Sequence, residues 1–358
     1  MSERLTDAAR RILSCMEARH QAVDGWIGLP VDDGPHSVEL FVAAALALHE
    51  HKITSGMSIG VKSVDDRKDP ATAAAAARSF AAEGIPIVVG HFSASAALAA
   101  APVYENAGIA FLAPATTHPD LTSQRFRFVF RVCGRDERQA ALIASSISEN
   151  YSGLPVLIVG QASAYGLSLS QYISDALFAL GQRAEGIIVR SAEDVPYGVL
   201  SRSEVVAVAG AQHFAASLIL RRQKLGGRAP FFVGDDAISS WFVSTMSGTP
   251  VKVYAPAMLI DGAGTARLSD DMERHLGITK SEFEAIASGA YFTTSFVATS
   301  IAARALECCR ANQANSAANF LRNRSCRTPL GDFTFDAAGE IDRLRWVMRH
   351  LNGNGFVP

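Results

Sequence analysis

The chain of 358 residues is expected to be an α/β protein in two lobes, and three observations predict it. Short apolar runs alternate with helical stretches of ten or more residues, which implies parallel sheets and right-handed crossovers. A length of 358 residues, 49% hydrophobic and 19% charged, is enough for more than one core. Strand after strand ends in a polar, glycine-bearing tip, as at Gly90–Ser95, Pro114–Asp120, Gly160-Gln161, Gly210–His213 and Gly234–Asp236. In a parallel sheet such tips share the C-terminal edge, where open α/β folds bind ligands.

The elements follow from local chemistry. A short amphipathic N-terminal helix is expected, with Leu5, Ala8, Ile12 and Cys15 near one face. Strand Gly25–Leu29 leads through Pro30–His36 into a helix with Ser37 as its N-cap; Val38, Phe41, Val42 and Ala45 make its apolar face. Strand Met57–Val64 precedes Asp69-Pro70, where Asp69 caps a helix that proline opens over Pro70–Ala82. Strand Ile85–Val89, a helix near Ala96–Ala107 stopped by Gly108, and strand Ile109–Ala113 follow. Phe126–Val132 is extended. A second series begins with helix Asp136–Asn150, whose inward face is Ala140, Ile143, Ala144 and Ile147. It continues with strand Pro155–Val159, helix Leu167–Leu180, strand Glu185–Arg190, strand Val205–Ala209, helix Phe214–Leu225, strand Pro230–Val233 and strand Val251–Ala257. An irregular Gly-, Asp- and Thr-rich stretch, 261–280, precedes one long helix at Glu282–Arg310, another around Asn315–Arg322, and a last strand at Arg343–His350.

Two tips stand out. The Ser93–Ser95 loop and the Pro114–Asp120 loop flank one helix, and their small side chains let backbone amides approach an anion closely. The helix N-terminus between them adds a favourable dipole. They read as the anion-gripping part of a small-molecule site.

Composition excludes several partners. A formal net charge of −2 and no Lys/Arg cluster argue against nucleic acid and against an anionic membrane surface. The chain has five cysteines, Cys15, Cys133, Cys308, Cys309 and Cys326. Their spacing fits no zinc pattern, so reduced, buried thiols and a reducing compartment are expected. The N-terminus has no basic stretch followed by an apolar run, and no stretch suits a membrane span. A cytoplasmic location is expected, with the periplasm as the alternative if a leader has been removed. No cofactor is expected: no G-x-G-x-x-G opens a helix, and no phosphate loop or H-E-x-x-H occurs. Gly90-His91-Phe92-Ser93-Ala94-Ser95 lacks the closing glycine of a nucleophile elbow. No catalytic residue and no metal ligand is assigned. The alternative to binding is an α/β-hydrolase-like enzyme using a serine of the 93–95 loop.

These tips carry a resemblance. Asp65-Asp66 with Asp69-Pro70, Val89-Gly90 through Ser95, Gly108-Ile109 through Thr122, Tyr165-Gly166, Gly234-Asp235-Asp236, and Leu330-Gly331 through Gly339 occur in one order along nearly the whole chain. The chain resembles the type I periplasmic-binding fold in its leucine/isoleucine/valine-binding branch. The resemblance implies two Rossmann-like lobes, residues 1–130 plus 260–328 and residues 131–259 plus 329–358, joined by three crossing strands. It implies an amino acid or amide-like ligand held between lobes that close on a hinge, with no enzymatic chemistry. It places the ligand carboxylate on Ala115, Thr117 and the neighbourhood of Ser95, although Ala94 aligns best with the family's serine. It places Tyr165 and Gln212 along the ligand and Asp236 at its ammonium group. Gln212 stands where an aromatic residue usually packs, and Asp236 is one methylene shorter than the usual glutamate. The resemblance implies an ABC-transporter permease or a regulatory protein as partner, and it is compatible with a homodimer. The family's early disulfide has no cysteines here.

Overall fold

A computed structural model describes residues 16, 23–32, 34–260 and 276–358. The expected N-terminal helix and most of the irregular 261–280 stretch lie outside the described residues. The chain divides into two compact units. The first takes residues 1–116, 120–133 and 260–344, and the second takes residues 117–119, 134–259 and 345–358.

The first unit opens with β1 (Gly25–Val31), α1 (Pro35–Ser55), β2 (Ile59–Asp65), α2 (Pro70–Ala82), β3 (Ile87–Val89), α3 (Ala94–Ala107), β4 (Ala110–Ala113), α4 (Asp120–Ser123) and β5 (Val129–Arg131). The five strands form a parallel sheet in the order β2-β1-β3-β4-β5. Side chains alternate across it, as the pleat requires. Ile27, Leu29, Ile87, Val89, Ala110, Leu112 and Phe130 face one apolar cluster, shared with α1. Val88, Phe111, Ala113 and Val129 face the other, shared with α2 and α3. Each fully buried aromatic here, such as Phe80 or Phe111, contributes about 1.5–3 kcal/mol.

The second unit begins with α5 (Asp136–Asn150), β6 (Val156–Gln161), α6 (Ala164–Ala179), β7 (Ala184–Val189), α7 (Tyr197–Arg202), β8 (Val205–Ala209), α8 (Gln212–Lys224), β9 (Phe231–Val233), α9 (Ser240–Thr245) and β10 (Val253–Ile260). The expected inward face of α5 holds: Ala140, Ile143, Ala144 and Ile147 are fully buried against α6 and the sheet. The chain then returns to the first unit for α10 (Lys280–Ala287), α11 (Phe292–Arg310), α12 (Ala317–Asn323), β11 (Cys326–Thr328) and β12 (Gly331–Phe333). It ends in the second unit with β13 (Leu344–Leu351) and β14 (Phe356–Val357). The second sheet runs β14-β13-β10-β9-β8-β6-β7, parallel from β10 to β7, with β13 and β14 an antiparallel hairpin.

Three local expectations change. The helix after β1 starts at Pro35 with Gly34 as N-cap, because proline suits the first helical position. Ser37 lies inside that helix, with its hydroxyl 3.3 Å from the Asp32 carboxylate. The helix after β3 starts at Ala94, with Ser93 at the N-cap, so Ser95 is already helical. The long helix is two, α10 and α11, bent by 91°. A buried carboxylate causes the break: Glu39 accepts the Tyr291 amide at 2.7 Å, and a Cβ on Gly289 would lie 2.4 Å from that carboxyl. By contrast Asp69 caps α2 as expected, accepting from the Thr72 amide at 2.8 Å.

Gly90 shows what the β3 tip demands. Its φ of +146° suits glycine, and a Cβ there would meet the Pro30 carbonyl at 2.8 Å. Gly90→Ala should lower stability by about 1–3 kcal/mol, read as a fall in thermal midpoint. An unchanged midpoint would show that the tip relaxes freely.

Candidate functional site

The strand orders point to the ligand edge of each unit. In the first, β1 and β3 are neighbours from which the chain winds in opposite directions; in the second, β6 and β8 are. Ligands of such sheets bind beyond the carboxyl ends of those strands.

At the first of these points the β3 tip supplies Ser93 and Ser95. Their hydroxyls lie 2.9 Å apart, and the Ser95 hydroxyl also lies 3.4 Å from the Lys68 carbonyl on the β2 tip. Ser93 makes no side-chain bond to the α3 amides. The β4 tip supplies Ala115, 5% exposed, and Thr116, 1% exposed. The Thr116 hydroxyl donates to the His91 carbonyl at 3.0 Å, which locks the β4 tip to the β3 tip. Ser95 and Ala115 therefore share one edge, on tips already cross-linked. His91 is wholly buried, with Nδ1 2.6 Å from Asp66 and Nε2 2.9 Å from the Tyr104 hydroxyl. Both ring nitrogens are engaged away from the Ser93–Ser95 pair, so the serine-hydrolase alternative gains no base from it.

The β1 tip adds residues that sequence reading passed over as a loop. Asp32 is 9% exposed. Its carboxylate accepts the Gly34 amide and lies 3.5 Å from the Lys68 ammonium. Burial holds the Asp32 carboxyl above its ordinary range, and Lys68 opposes this. A carboxyl raised in the folded state takes up a proton more readily there than in the unfolded chain. Its stabilising effect is therefore greatest in acid and is lost as pH rises through the folded value. Asp32→Asn should accordingly gain stability relative to the wild type on moving from acid to neutral pH, seen in melting curves across that range. A constant difference would remove the burial effect. The signal in the sequence was the Asp32-Asp33-Gly34-Pro35 run directly after a strand.

In the second unit the sites fall at the matching tips. Tyr165 stands in the first turn of α6, with its hydroxyl donating to Asp235 at 2.9 Å and lying 3.3 Å from the Gln139 amide oxygen. Burial, then the Asp235, Asp136 and Asp236 carboxylates, push that hydroxyl well above its ordinary pKa, so it stays protonated. Asp235 is fully buried and receives the Gln139 amide at 3.0 Å. Asp236, half-buried, accepts the Gln212 backbone amide at the start of α8. Its carboxylate thus sits at a helix N-terminus. Gln212 is 2% exposed, and its side-chain oxygen accepts the Ser239 hydroxyl. Thr117, 3% exposed, groups with this unit, and its carbonyl accepts the Asp136 amide at 3.0 Å. Tyr165, Gln212 and Asp236 are thus brought to one edge of one sheet, with Asp235 and Gln139 as the polar support that sequence reading missed. Trp26 packs beside the α2/α3 cluster, and Trp241 meets the His213 ring at 3.9 Å.

Among the described residues no group of three His, Cys, Asp or Glu side chains is placed to hold a metal. No single described helix is long and apolar enough to cross a membrane.

Known proteins share this architecture. The Leu/Ile/Val-binding protein homolog 1 of Brucella melitensis biotype 1 is 27% identical over 334 residues, covering 90% of this chain and 88% of that protein. The leucine-binding protein LivK from Thermotoga maritima superposes with a TM-score of 0.74 at 20% identity, covering 94% of this chain and 98% of the other. The branched-chain amino acid transporter substrate-binding protein LivJ from Streptococcus pneumoniae, solved with isoleucine, does so at 0.74 and 18% identity, covering 93% and 98%. Both superpositions bear out the expected type I periplasmic-binding fold. The family's description is periplasmic, which lends no support to the cytoplasmic location expected above. Because the model of the family described as periplasmic binding protein matches residues 32–354, the chain belongs to that family of solute-binding proteins.

Proposed function

We propose that the chain is the solute-binding component of an ABC transporter, taking an amino acid or a close amide analogue and handing it to a permease. The observation that carries this is the chemistry of the strand tips. One unit presents small residues and close-packed amides at Ser95 and Ala115, suited to a carboxylate. The other presents a half-buried carboxylate, Asp236, suited to an ammonium group. The names of the relatives support the ligand class.

In this reading the Ala115 backbone and the Thr117 hydroxyl and amide take the carboxylate, with Ser95 beside them. Asp236 takes the amino group, and Tyr165 and Gln212 flank the ligand. Gln212 brings an amide where an apolar wall would suit a branched aliphatic chain, which favours a small or polar ligand side chain. A thermal-shift screen over the amino acids, their amides and short carboxylates tests this. Stabilisation by one or a few amino acids is expected, and no shift with any zwitterion or amide would end the proposal.

One observation favours a second reading, a ligand sensor in a reducing compartment that reports to a regulatory protein. Cys308 and Cys326 are free and buried, and burial pushes the Cys326 thiol up to about 12. Such thiols suit a reducing compartment. Fusing the native upstream DNA and the start of the gene to a reporter active only in the periplasm separates the two. Reporter activity supports the transport component, and silence supports the sensor.

A further inference from the structure

Three side chains of the first unit form a polar chain that the proposed ligand contacts do not use. Asp66, on the β2 tip, is 1% exposed, and His91 and Tyr104 are wholly buried. One Asp66 oxygen lies 2.6 Å from His91 Nδ1. The other accepts the Lys68 backbone amide at 2.9 Å. His91 Nε2 lies 2.9 Å from the Tyr104 hydroxyl on α3. The His91 carbonyl accepts the Thr116 hydroxyl on the β4 tip at 3.0 Å. The β2, β3 and β4 tips are therefore joined through one buried imidazole and the peptide that carries it.

Burying an imidazole and a carboxylate is costly unless their hydrogen-bonding capacity is met. Here the partners come from four different elements. Apolar side chains would fill the same volume at lower cost, so the polar atoms gain their worth from direction: each bond fixes the orientation of one tip. Phe111 stands edge-on to the His91 ring at 5.7 Å and holds the imidazole plane. Lys68 and Arg67, next along the β2 tip, have positive φ of 56° and 53°. That backbone is strained for side-chain-bearing residues, and the Asp66-to-Lys68 bond spans it. A tip held this way needs little ordering when an anion arrives, which is how preorganisation raises affinity.

We infer that Asp66, His91 and Thr116 are positioning residues, which hold the Ser95 and Ala115 tips in their anion-accepting geometry before any ligand binds. The inference rests on the proposed binding site for its purpose, but its test needs no ligand. Amide hydrogen exchange is followed by mass spectrometry on the full chain, comparing wild type with Thr116→Val, Thr116→Ser, Asp66→Asn and, as a control, Phe80→Leu. Thr116→Val removes one hydroxyl at nearly constant volume, and Thr116→Ser keeps it. Tenfold or faster exchange is expected in peptides covering 65–70 and 112–118 for Thr116→Val and Asp66→Asn, with β1 and α11 unchanged. Thr116→Ser should restore wild-type protection. Phe80→Leu, a substitution in the α2/α3 core cluster that leaves every hydrogen bond of the polar chain in place, should raise exchange across the unit without singling out the tips. Tip exchange equal to wild type in Thr116→Val would overturn the inference. So would a rise spread evenly over the unit, or failure of Thr116→Ser to restore protection, since either reduces these residues to ordinary core support. A chain that binds no amino acid in the thermal-shift screen still gives a clear exchange result, so the two proposals fail separately.

Discussion

Replacing Asp236 by asparagine is expected to weaken amino-acid binding about tenfold or more, since a charge-assisted hydrogen bond to a buried partner contributes about 1.5–3 kcal/mol and each 1.4 kcal/mol is tenfold. Asparagine is the informative choice. The Asp236 carboxylate accepts the Gln212 amide at the start of α8, so alanine would also remove a helix-terminal acceptor, which typically costs about 1 kcal/mol. Asparagine keeps an acceptor there and removes only the charge. The melting temperature should therefore stay close to wild type while calorimetric affinity falls. Affinity unchanged in Asp236→Asn would remove this carboxylate from the site. A carboxylate ligand without an amino group should be indifferent to the substitution, or should bind slightly better.

The second large effect concerns stability. Arg131 is wholly buried at the end of β5. Its Nε lies 3.1 and 3.2 Å from the two carboxylate oxygens of Glu340. One terminal nitrogen donates to the Thr116 carbonyl, and the other donates to the Thr122 hydroxyl at 2.9 Å. Thr122 in turn donates to Glu340. Glu340→Ala takes this carboxylate away from the buried guanidinium, and removing one member of a buried pair costs about 3–5 kcal/mol. Because Glu340 keeps 18% of its side chain in water, water partly screens the pair, and the lower end, about 3 kcal/mol, is expected. Glu340→Gln retains an acceptor and should lose less. Urea unfolding with a fluorescence readout measures both. A loss below 1 kcal/mol for Glu340→Ala would show that solvent already compensates Arg131.

How far the sequence could be read depended on how local each cause was. Asp69 as the cap of α2 was legible because donor and acceptor lie three residues apart, in a motif that proline marks. The inward face of α5 was legible because helical spacing alone sets it. The single helix expected over Glu282–Arg310 was wrong for a non-local reason. The carboxylate that takes the Tyr291 amide belongs to Glu39, 252 residues away in the chain, and nothing near Ser288 announces it except Gly289. Ser95 illustrates a smaller error: both Ser93 and Ser95 suit a cap, and only the observed start of α3 assigns it to Ser93.

For the candidate site the polar tips were legible and their supports were not. The tips could be located because they follow strands, whereas the choice of Ser95, Ala115, Thr117, Tyr165, Gln212 and Asp236 came from the family resemblance. Asp235, adjacent to Asp236, is instead buried in a network with Gln139 and Tyr165, and neighbouring carboxylates look alike in a sequence. His91 also follows a strand, yet its ring is wholly buried between Asp66 and Tyr104. Its partners lie 25 and 13 residues away, at distances that only the sheet order makes short. The Arg131–Glu340 pair spans 209 residues and left no trace in local pattern.

The most direct measurement is isothermal calorimetry of the wild-type chain with the amino acid that stabilises it best, beside two truncated analogues of it. One analogue lacks only the amino group and the other only the carboxylate. Recognition of both ends predicts that each analogue binds at least tenfold more weakly than the parent. Equal binding of either analogue would contradict it, and would show that one end of the solute goes unread.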